Sequence, residues 1–388
     1  MSCFAQTSFG SLNKAGEELC GDKVALLRDE SGTLLVLSDG LGSGVKANIL
    51  SSLTTKIITS MLSNGADIRD VVETIADTLP VCKERKVAYA TFSVIHVDQH
   101  GSAYMVEFDN PAMILLRDGK QVLPPWKEIT ISGKKVREAR MQFVEGDSCV
   151  MFSDGVVHAG VGKVLNLDWQ YEQVVQYLMD IYSKEAGAYE IQSRLLAACD
   201  SLYMGQPGDD ATVAVLHLRT PLHAYVMIGP PQHREEDRRR VADLMAAPGL
   251  KVVCGGTTSQ IVSKIIGKEL RAHLNDASPD VPPIAELEGI HLVTEGLLTL
   301  HKTLELLKLR LKGDWSNPTR LREKQDGAHL LADVLVNQAT TITIVAGRAA
   351  NPACVSGGEP PLVLKLRVVK EIVHCLKAMG KHVELRYC

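Results

Sequence analysis

Aromatic residues are scarce, 5% of 388 positions, too few to line a groove with the stacked rings that bind single-stranded nucleic acid. No stretch approaches the roughly 18 uninterrupted apolar residues of a membrane span. The first residues, Met1-Ser2-Cys3-Phe4-Ala5-Gln6-Thr7-Ser8, have neither the basic start nor the apolar block of a secretory signal. Charge of one sign is missing too: 42 basic against 46 acidic residues leave a net −4, with no global pull on a polyanion. The nine cysteines are scattered, odd in number and never in a CxxC pair, which excludes a disulfide scaffold or a thiolate zinc site. A reduced, cytoplasmic protein is expected, with no nucleic-acid and no membrane partner.

What remains is ordinary globular composition, 45% hydrophobic and 23% charged, in a chain long enough for two cores. Residues 1–219 read as strands interleaved with a few helices. Lys23–Leu27 and Thr33–Leu37 flank Asp29-Glu30-Ser31-Gly32, a hairpin. Helical spacing runs from Gly44 to the stop at Asn64-Gly65, and again from Ile68 to Leu79 before Pro80. Strands are expected at Thr91–Val97, Ala103–Phe108, Met113–Leu116, Cys149–Phe152 and Ala211–Leu218, and helices at Trp169–Ile181 and Ala188–Leu202. The rhythm changes at Arg219-Thr220-Pro221, so a second domain is expected over 220–388. There strands and helices alternate, the pattern of a three-layer α/β domain.

Three acidic motifs stand beside strands: Ser38-Asp39-Gly40, Ser153-Asp154-Gly155 and Gly208-Asp209-Asp210-Ala211-Thr212, with Asp22 at the head of the strand before Asp39. Only a fold could gather positions this far apart. Two carboxylates ~4 Å apart repel by about 4 kcal/mol at an effective dielectric of ~20, so a gathered set calls for cations. Hard oxygen donors favour Mg²⁺ or Mn²⁺ over zinc, and two such ions can activate a water and clamp phosphoryl oxygens. Each glycine after an SD pair permits a sharp turn or close approach. An isolated Asp-Gly is a common turn; the combination is what points to chemistry. Asp210 is expected to orient its neighbour from behind.

Gly21-Asp22, Leu37-Ser38-Asp39-Gly40-Leu41-Gly42-Ser43-Gly44, Met151-Phe152-Ser153-Asp154-Gly155 and Gly208-Asp209-Asp210-Ala211-Thr212-Val213 occur in the order of a known family. They resemble the bacterial metal-dependent protein phosphatases (PPM), in the branch of the sporulation stage II protein E, over about residues 1–218. The resemblance implies an α+β fold in which a β-sandwich is flanked by helices, with two Mn²⁺ or Mg²⁺ ions at one end. It implies hydrolysis of phosphoserine or phosphothreonine on a protein substrate, by a water that the two ions activate and without a phosphoenzyme. On this pattern Asp39 bridges both ions, the Gly40 carbonyl binds one, Asp22 serves one ion, and Asp154 and Asp209 hold the other. The segment Gly40–Ala47 corresponds to the entry of a helix that can switch the metal site in similar enzymes. The arginine that holds phosphate in the eukaryotic branch has no counterpart here. Lys14 and Lys23 are the nearby basic residues, with no role assigned to either. His158 reads as a loop histidine and Asp109-Asn110-Pro111 as structural.

Residues 220–388 resemble no named family. Their best local signal is Val252-Val253-Cys254-Gly255-Gly256-Thr257-Thr258-Ser259, a strand running through glycines into a helix. Gly255, Gly256, Thr257 and Thr258 are candidate anion-binding residues, because free amides at a helix start attract phosphate or carboxylate. A tight turn with a Ser/Thr cap is the alternative. Arg238-Arg239-Arg240 beside Glu235, Glu236 and Asp237 suits a solvated helix face, and the leucine-rich stretch to Leu311 suits core or a homodimer helix. The expected function is a metal-dependent protein serine/threonine phosphatase in bacterial-type signalling. Its second domain is a regulatory, small-molecule-sensing or protein-docking module. The alternatives are a phosphoprotein-binding scaffold with little turnover and a hydrolase of small phosphate esters.

Overall fold

The computed structural model describes residues 3–78, 90–160, 169–183, 186–272, 282–311, 326–349 and 361–388, and counts of elements refer to these. Leu79 and Pro80, the expected end of the second helix, lie outside them, as do the cysteines 82 and 354. The chain divides into two compact units, Met1–Thr220 and Pro221–Cys388. The first is α+β with antiparallel sheets, and the second carries a mixed sheet.

The first unit runs β1 (Phe4–Leu12), β2 (Asp22–Asp29), β3 (Gly32–Gly40), α1 (Gly44–Ser63), α2 (Ile68–Thr78), β4 (Ala90–Val97), β5 (Ser102–Phe108) and β6 (Ile114–Arg117). It continues with β7 (Lys120–Val122), β8 (Lys127–Ile131), β9 (Lys134–Gln142), β10 (Ser148–Phe152), α3 (Asp154–Val157), α4 (Tyr171–Asp180), α5 (Ala188–Leu202) and β11 (Ala211–Arg219). One sheet has the order β1-β11-β10-β6-β7 and the other β2-β3-β4-β5-β9-β8.

Strand alternation decides where each face goes. Leu35 and Leu37 of β3 meet Cys149 and Met151 of β10 and Ala214 and Leu216 of β11 in one core between the sheets. Their neighbours Leu34 and Val36 turn outward to Leu50 and Ile58 of α1 and Val71 and Ile75 of α2. Val150, Phe152, Val213 and Val215 turn outward on the other side, to Val174 and Leu178 of α4 and Ile191 and Leu195 of α5. The hairpin closes Asp29 on Gly32, which sets Asp22 opposite Asp39 at its far end. Four strands of this unit were not expected from the pattern: β1, β7, β8 and β9. In β9, Lys-Lys-Val-Arg-Glu-Ala-Arg buries only Val136 and Ala139 at or above the level of core residues, so its polar face hides the alternation.

The second unit runs β12 (His223–Ile228), α6 (Asp237–Ala246), β13 (Leu250–Cys254), α7 (Gly256–Ile266), β14 (Arg271–Ala272), β15 (Ala285–Leu287), β16 (Ile290–Thr294), α8 (Leu297–Leu311), α9 (Gly327–Asp333), β17 (Thr341–Ala346), α10 (Pro361–Ala378) and β18 (His382–Tyr387). The sheet order is β14-β15-β16-β13-β12-β17-β18. The five strands from β16 to β18 are mutually parallel, and β15 and β14 extend the sheet antiparallel. The helix expected after the glycine turn at Gly255 begins at Gly256 and ends at Ile266, where Gly267 takes a left-handed conformation (φ 69°) and closes it. The charged helix expected through 234–240 is a 3-10 turn over Arg234–Glu236 before α6 begins. Leu300, Leu304 and Leu307 of α8 are core, against α9 and α10.

Candidate active site

The open end of the β2–β3 hairpin, the start of α3 after β10 and the loop before β11 carry the acids. Asp22 opens β2 and faces Asp39, next to last in β3. Asp154 begins α3, directly after β10, and Asp209 and Asp210 precede β11. Ser153 ties the two sheets at this end. Its hydroxyl donates to Asp22 Oδ2 (2.7 Å) and accepts the Thr212 amide (2.9 Å).

Asp22 is 4% exposed, and its Oδ1 is buried with no hydrogen-bond partner. Burial, reinforced by the charges of Asp210 and Asp154, pushes its carboxyl up to about 7 even though Ser153 and Thr212 work the other way. Asp39 is pushed up to about 9, first by burial and then by Asp22, Asp154 and Asp209. Asp154 is raised by burial and by the charge of Asp209. Asp209 stands at the rim, its Oδ1 3.8 Å from Lys14 Nζ. The negative charges of Asp22, Asp154 and Asp209 thus converge on Asp39.

That arrangement fits divalent ions by its chemistry: hard oxygen donors, an orphaned carboxylate oxygen, and mutual repulsion that a cation would relieve. Among the described residues no three acidic, His or Cys side chains are already arranged as a finished metal site.

Asp210 behaves differently from the other four. It is 5% exposed, and its Oδ1 and Oδ2 accept the backbone amides of Lys14 (2.9 Å) and Gly21 (2.8 Å). It thus fixes the segment that leads into Asp22. The glycines after Asp39 and Asp154 serve close backbone approach. A Cβ on Gly40 would stand 2.0 Å from the Ala47 carbonyl oxygen, and one on Gly155 would stand 2.1 Å from that of Asp210. Positive φ is needed at Gly42 (107°) and Gly44 (65°) instead, where the chain enters α1. The hydroxyl of Ser43 there donates to Glu17 Oε1 (3.0 Å).

Several participants carry no sequence signal of their own. Ser153 and Thr212 are recognisable only through the motifs around them, and Tyr203, whose hydroxyl donates to the Gly155 carbonyl (2.7 Å), not at all. Lys14 reaches the rim through a loop that nothing in its neighbours predicts; Lys23, the other basic residue near the first motif, is the second residue of β2 and pairs with Ser38. His158 is exposed at the end of α3. Asn110 braces β4, accepting from the Thr91 hydroxyl and donating to Ser93 Oγ (3.1 Å). The Cys20 thiol is pushed up to about 12 by burial and by Asp22, so it offers no thiolate nucleophile.

Residues 29–219 match the family model described as Stage II sporulation protein E (SpoIIE). Phosphoserine phosphatase RsbX of Bacillus subtilis is 24% identical over 153 residues, 39% of this chain and 74% of that protein. Stage II sporulation protein E of Bacillus subtilis is 26% identical over 226 residues, 55% of this chain and 26% of that protein. The chain therefore spans about a quarter of the length of the latter. Among solved structures, the phosphatase domain of SpoIIE from Bacillus subtilis in a crystal form without domain swapping aligns with TM-score 0.45 at 22% identity. The alignment covers 57% of this chain and 95% of that one. RsbX in complex with magnesium aligns with TM-score 0.40 at 21% identity, covering 55% and 95%.

Proposed function

Residues 29–219 belong to the stage II sporulation protein E (SpoIIE) family, and on that premise we propose that the N-terminal unit is a Mg²⁺- or Mn²⁺-dependent protein serine/threonine phosphatase of bacterial-type signalling. The observation that carries this reading is the meeting of Asp22, Asp39, Asp154 and Asp209 at one end of two sheets, with a buried Asp22 oxygen left unpartnered. Such a cluster costs stability, and a scaffold that only bound phosphoproteins would gain nothing from it. The similarity to a phosphoserine phosphatase supports the substrate class.

Two divalent ions, when bound, would neutralise these acids and supply an activated water for in-line attack on phosphorus. Asp39, opposite Asp22 across the hairpin and loaded by the charges of Asp22, Asp154 and Asp209, would serve both ions, with the Gly40 carbonyl beside it. Asp22 would hold one ion, and Asp154 and Asp209 the other. Ser153 fixes Asp22 by occupying Oδ2, which leaves Oδ1 for a ligand role. Asp210 keeps Lys14 and Gly21 in place from behind. The Lys14 ammonium, at the rim beside Asp209, would meet the phosphate oxygens of an arriving side chain. No covalent intermediate is needed.

Phosphate release by the full chain with Mn²⁺ separates the substrate classes. Phosphoserine and phosphothreonine peptides should be turned over with at least tenfold higher kcat/KM than p-nitrophenyl phosphate or ATP. A preference for the small esters would make the protein a small-ester hydrolase. Tight phosphopeptide binding without release would make it a scaffold.

A further inference from the structure

The second unit has the strand order that creates a crevice. The chain starts at β12, moves outward through β13 to β16, then returns to the other side of β12 with β17 and β18. The connections diverge where β12 lies between β13 and β17, and in open α/β sheets ligands bind outside the carboxyl ends of the strands at that point. A crevice of about 1390 Å³ lies there, lined by the residues that leave β12, β13, β16 and β17. The turns at its floor interlock: the Gly255 amide bonds the Thr294 carbonyl (2.9 Å), the Gly229 amide that of Cys254 (3.1 Å) and the Gly347 amide that of Ile228 (2.8 Å).

Three features of the lining define an occupant. First, α7 is 11 residues long, opens on Gly255 (φ 120°), and has no side-chain cap, so the amides of its first turn are free for an anion. Second, Thr258 is fully buried, yet its hydroxyl has no hydrogen-bond partner. Thr258 is among the residues that line the crevice, and its hydroxyl stands at the helix start, 3.1 Å from where a Cβ on Gly255 would be. Third, the Oε2 of Glu295, at the end of β16 and also on the wall, is buried and unpartnered. Gly296, the next residue, lies against Gly255 with 3.6 Å between its would-be Cβ and the Gly255 Cα, so the chain leaves β16 beside the turn that opens α7. Around the rim stand five basic side chains and two acidic ones, a net positive wall. Lys365 is one of the five; its Nζ donates to the Gly347 carbonyl (2.6 Å).

We propose that this crevice binds a nucleoside phosphate, with its phosphate on the first turn of α7 and the Thr258 hydroxyl, and its sugar hydroxyls on Glu295. A free phosphate would use only the first of these and leave most of the volume empty. A buried acceptor on a residue of the same crevice calls for a donor on the ligand, and a ribose diol supplies one. The Thr258 hydroxyl is a poor feature for stability alone, since a buried donor without a partner costs more than a methyl of the same shape.

The test is calorimetric titration of the full chain with AMP, ADP, GDP, adenosine and inorganic phosphate, in EDTA so that the acidic site of the other unit holds no ions. At least one nucleotide should bind with micromolar Kd, and adenosine and phosphate at least tenfold more weakly. Thr258→Val should weaken nucleotide binding about tenfold or more while leaving the ligand-free melting temperature equal or higher, and Thr258→Ser should restore it. Glu295→Gln should weaken nucleotides about tenfold and leave inorganic phosphate unchanged. No nucleotide binding below millimolar concentration, or equal nucleotide affinity in Thr258→Val, would overturn the proposal. So would inorganic phosphate binding as tightly as ADP.

Discussion

In metal-free protein, raising the pH from 4 to 9 should destabilise the N-terminal unit, and Asp22 should be a main cause. Its carboxyl is raised to about 7 by burial, whereas in the unfolded chain it titrates near the ordinary 3.8. Between those values the folded state binds the proton and the unfolded state releases it, so stability falls as pH rises. A separation of about three units corresponds to about 4 kcal/mol. At 4% exposure solvent screens little of that, and relaxation of the loops brings the expectation to about 2–4 kcal/mol. For a unit of this size that is a fall of roughly 5–15 °C in melting temperature. Asp39, raised to about 9, extends the loss toward pH 9. The assay is thermal unfolding followed by circular dichroism in EDTA, at half-unit steps of pH, for wild type and Asp22→Asn. Asparagine keeps an oxygen for the Ser153 hydroxyl but cannot titrate, so the variant should have the shallower profile, and the difference between the two isolates this site from the second unit. Mg²⁺ at about 100 times its Kd should add about 2.7 kcal/mol to the wild type and most at high pH. Parallel profiles for wild type and Asp22→Asn would refute the reasoning.

Gly40→Ala should cost about 3 kcal/mol in urea unfolding and more than tenfold in phosphate release, because its methyl would collide with the Ala47 carbonyl. A variant of normal stability would show that α1 yields freely. Asp210→Asn should lose one of two charge-assisted bonds to the Lys14 and Gly21 amides, about 2 kcal/mol. Its loss should show in denaturant titration as well as in kcat. Lys14→Met should raise KM for a phosphopeptide several-fold while stability stays within about 0.5 kcal/mol, since the ion pair to Asp209 is half exposed. An unchanged KM would remove Lys14 from phosphate binding.

The hairpin of β2 and β3 was legible because Asp29-Glu30-Ser31-Gly32 is a turn between two apolar runs, and its register alone brings Asp22 opposite Asp39. The helix bounds at Asn64-Gly65 and at Ala188–Leu202 were legible for the same kind of reason, local punctuation around a periodic run. β16 was not: Ile290-His291-Leu292-Val293-Thr294 is short and begins beside a glycine turn, and its burial comes from β13, which is distant in sequence. β1 was missed likewise, because Gln6, Thr7 and Ser8 are buried polar residues paired to β11 across the length of the unit. At the acidic cluster, residue types showed which side chains matter. They could not show that Gly40 and Gly155 make room for carbonyls, or that Asp210 holds two amides, since each depends on a neighbour that only the fold supplies.

The measurement closest to the central claim is phosphate release from a phosphoserine peptide by the full chain, titrated with Mn²⁺ and Mg²⁺ and compared with a folded Asp39→Asn variant. The account predicts no release in EDTA, recovery with either ion, and a loss of at least 100-fold in the variant at saturating metal. Release that persists in EDTA, or a folded Asp39→Asn variant with wild-type activity, would contradict it.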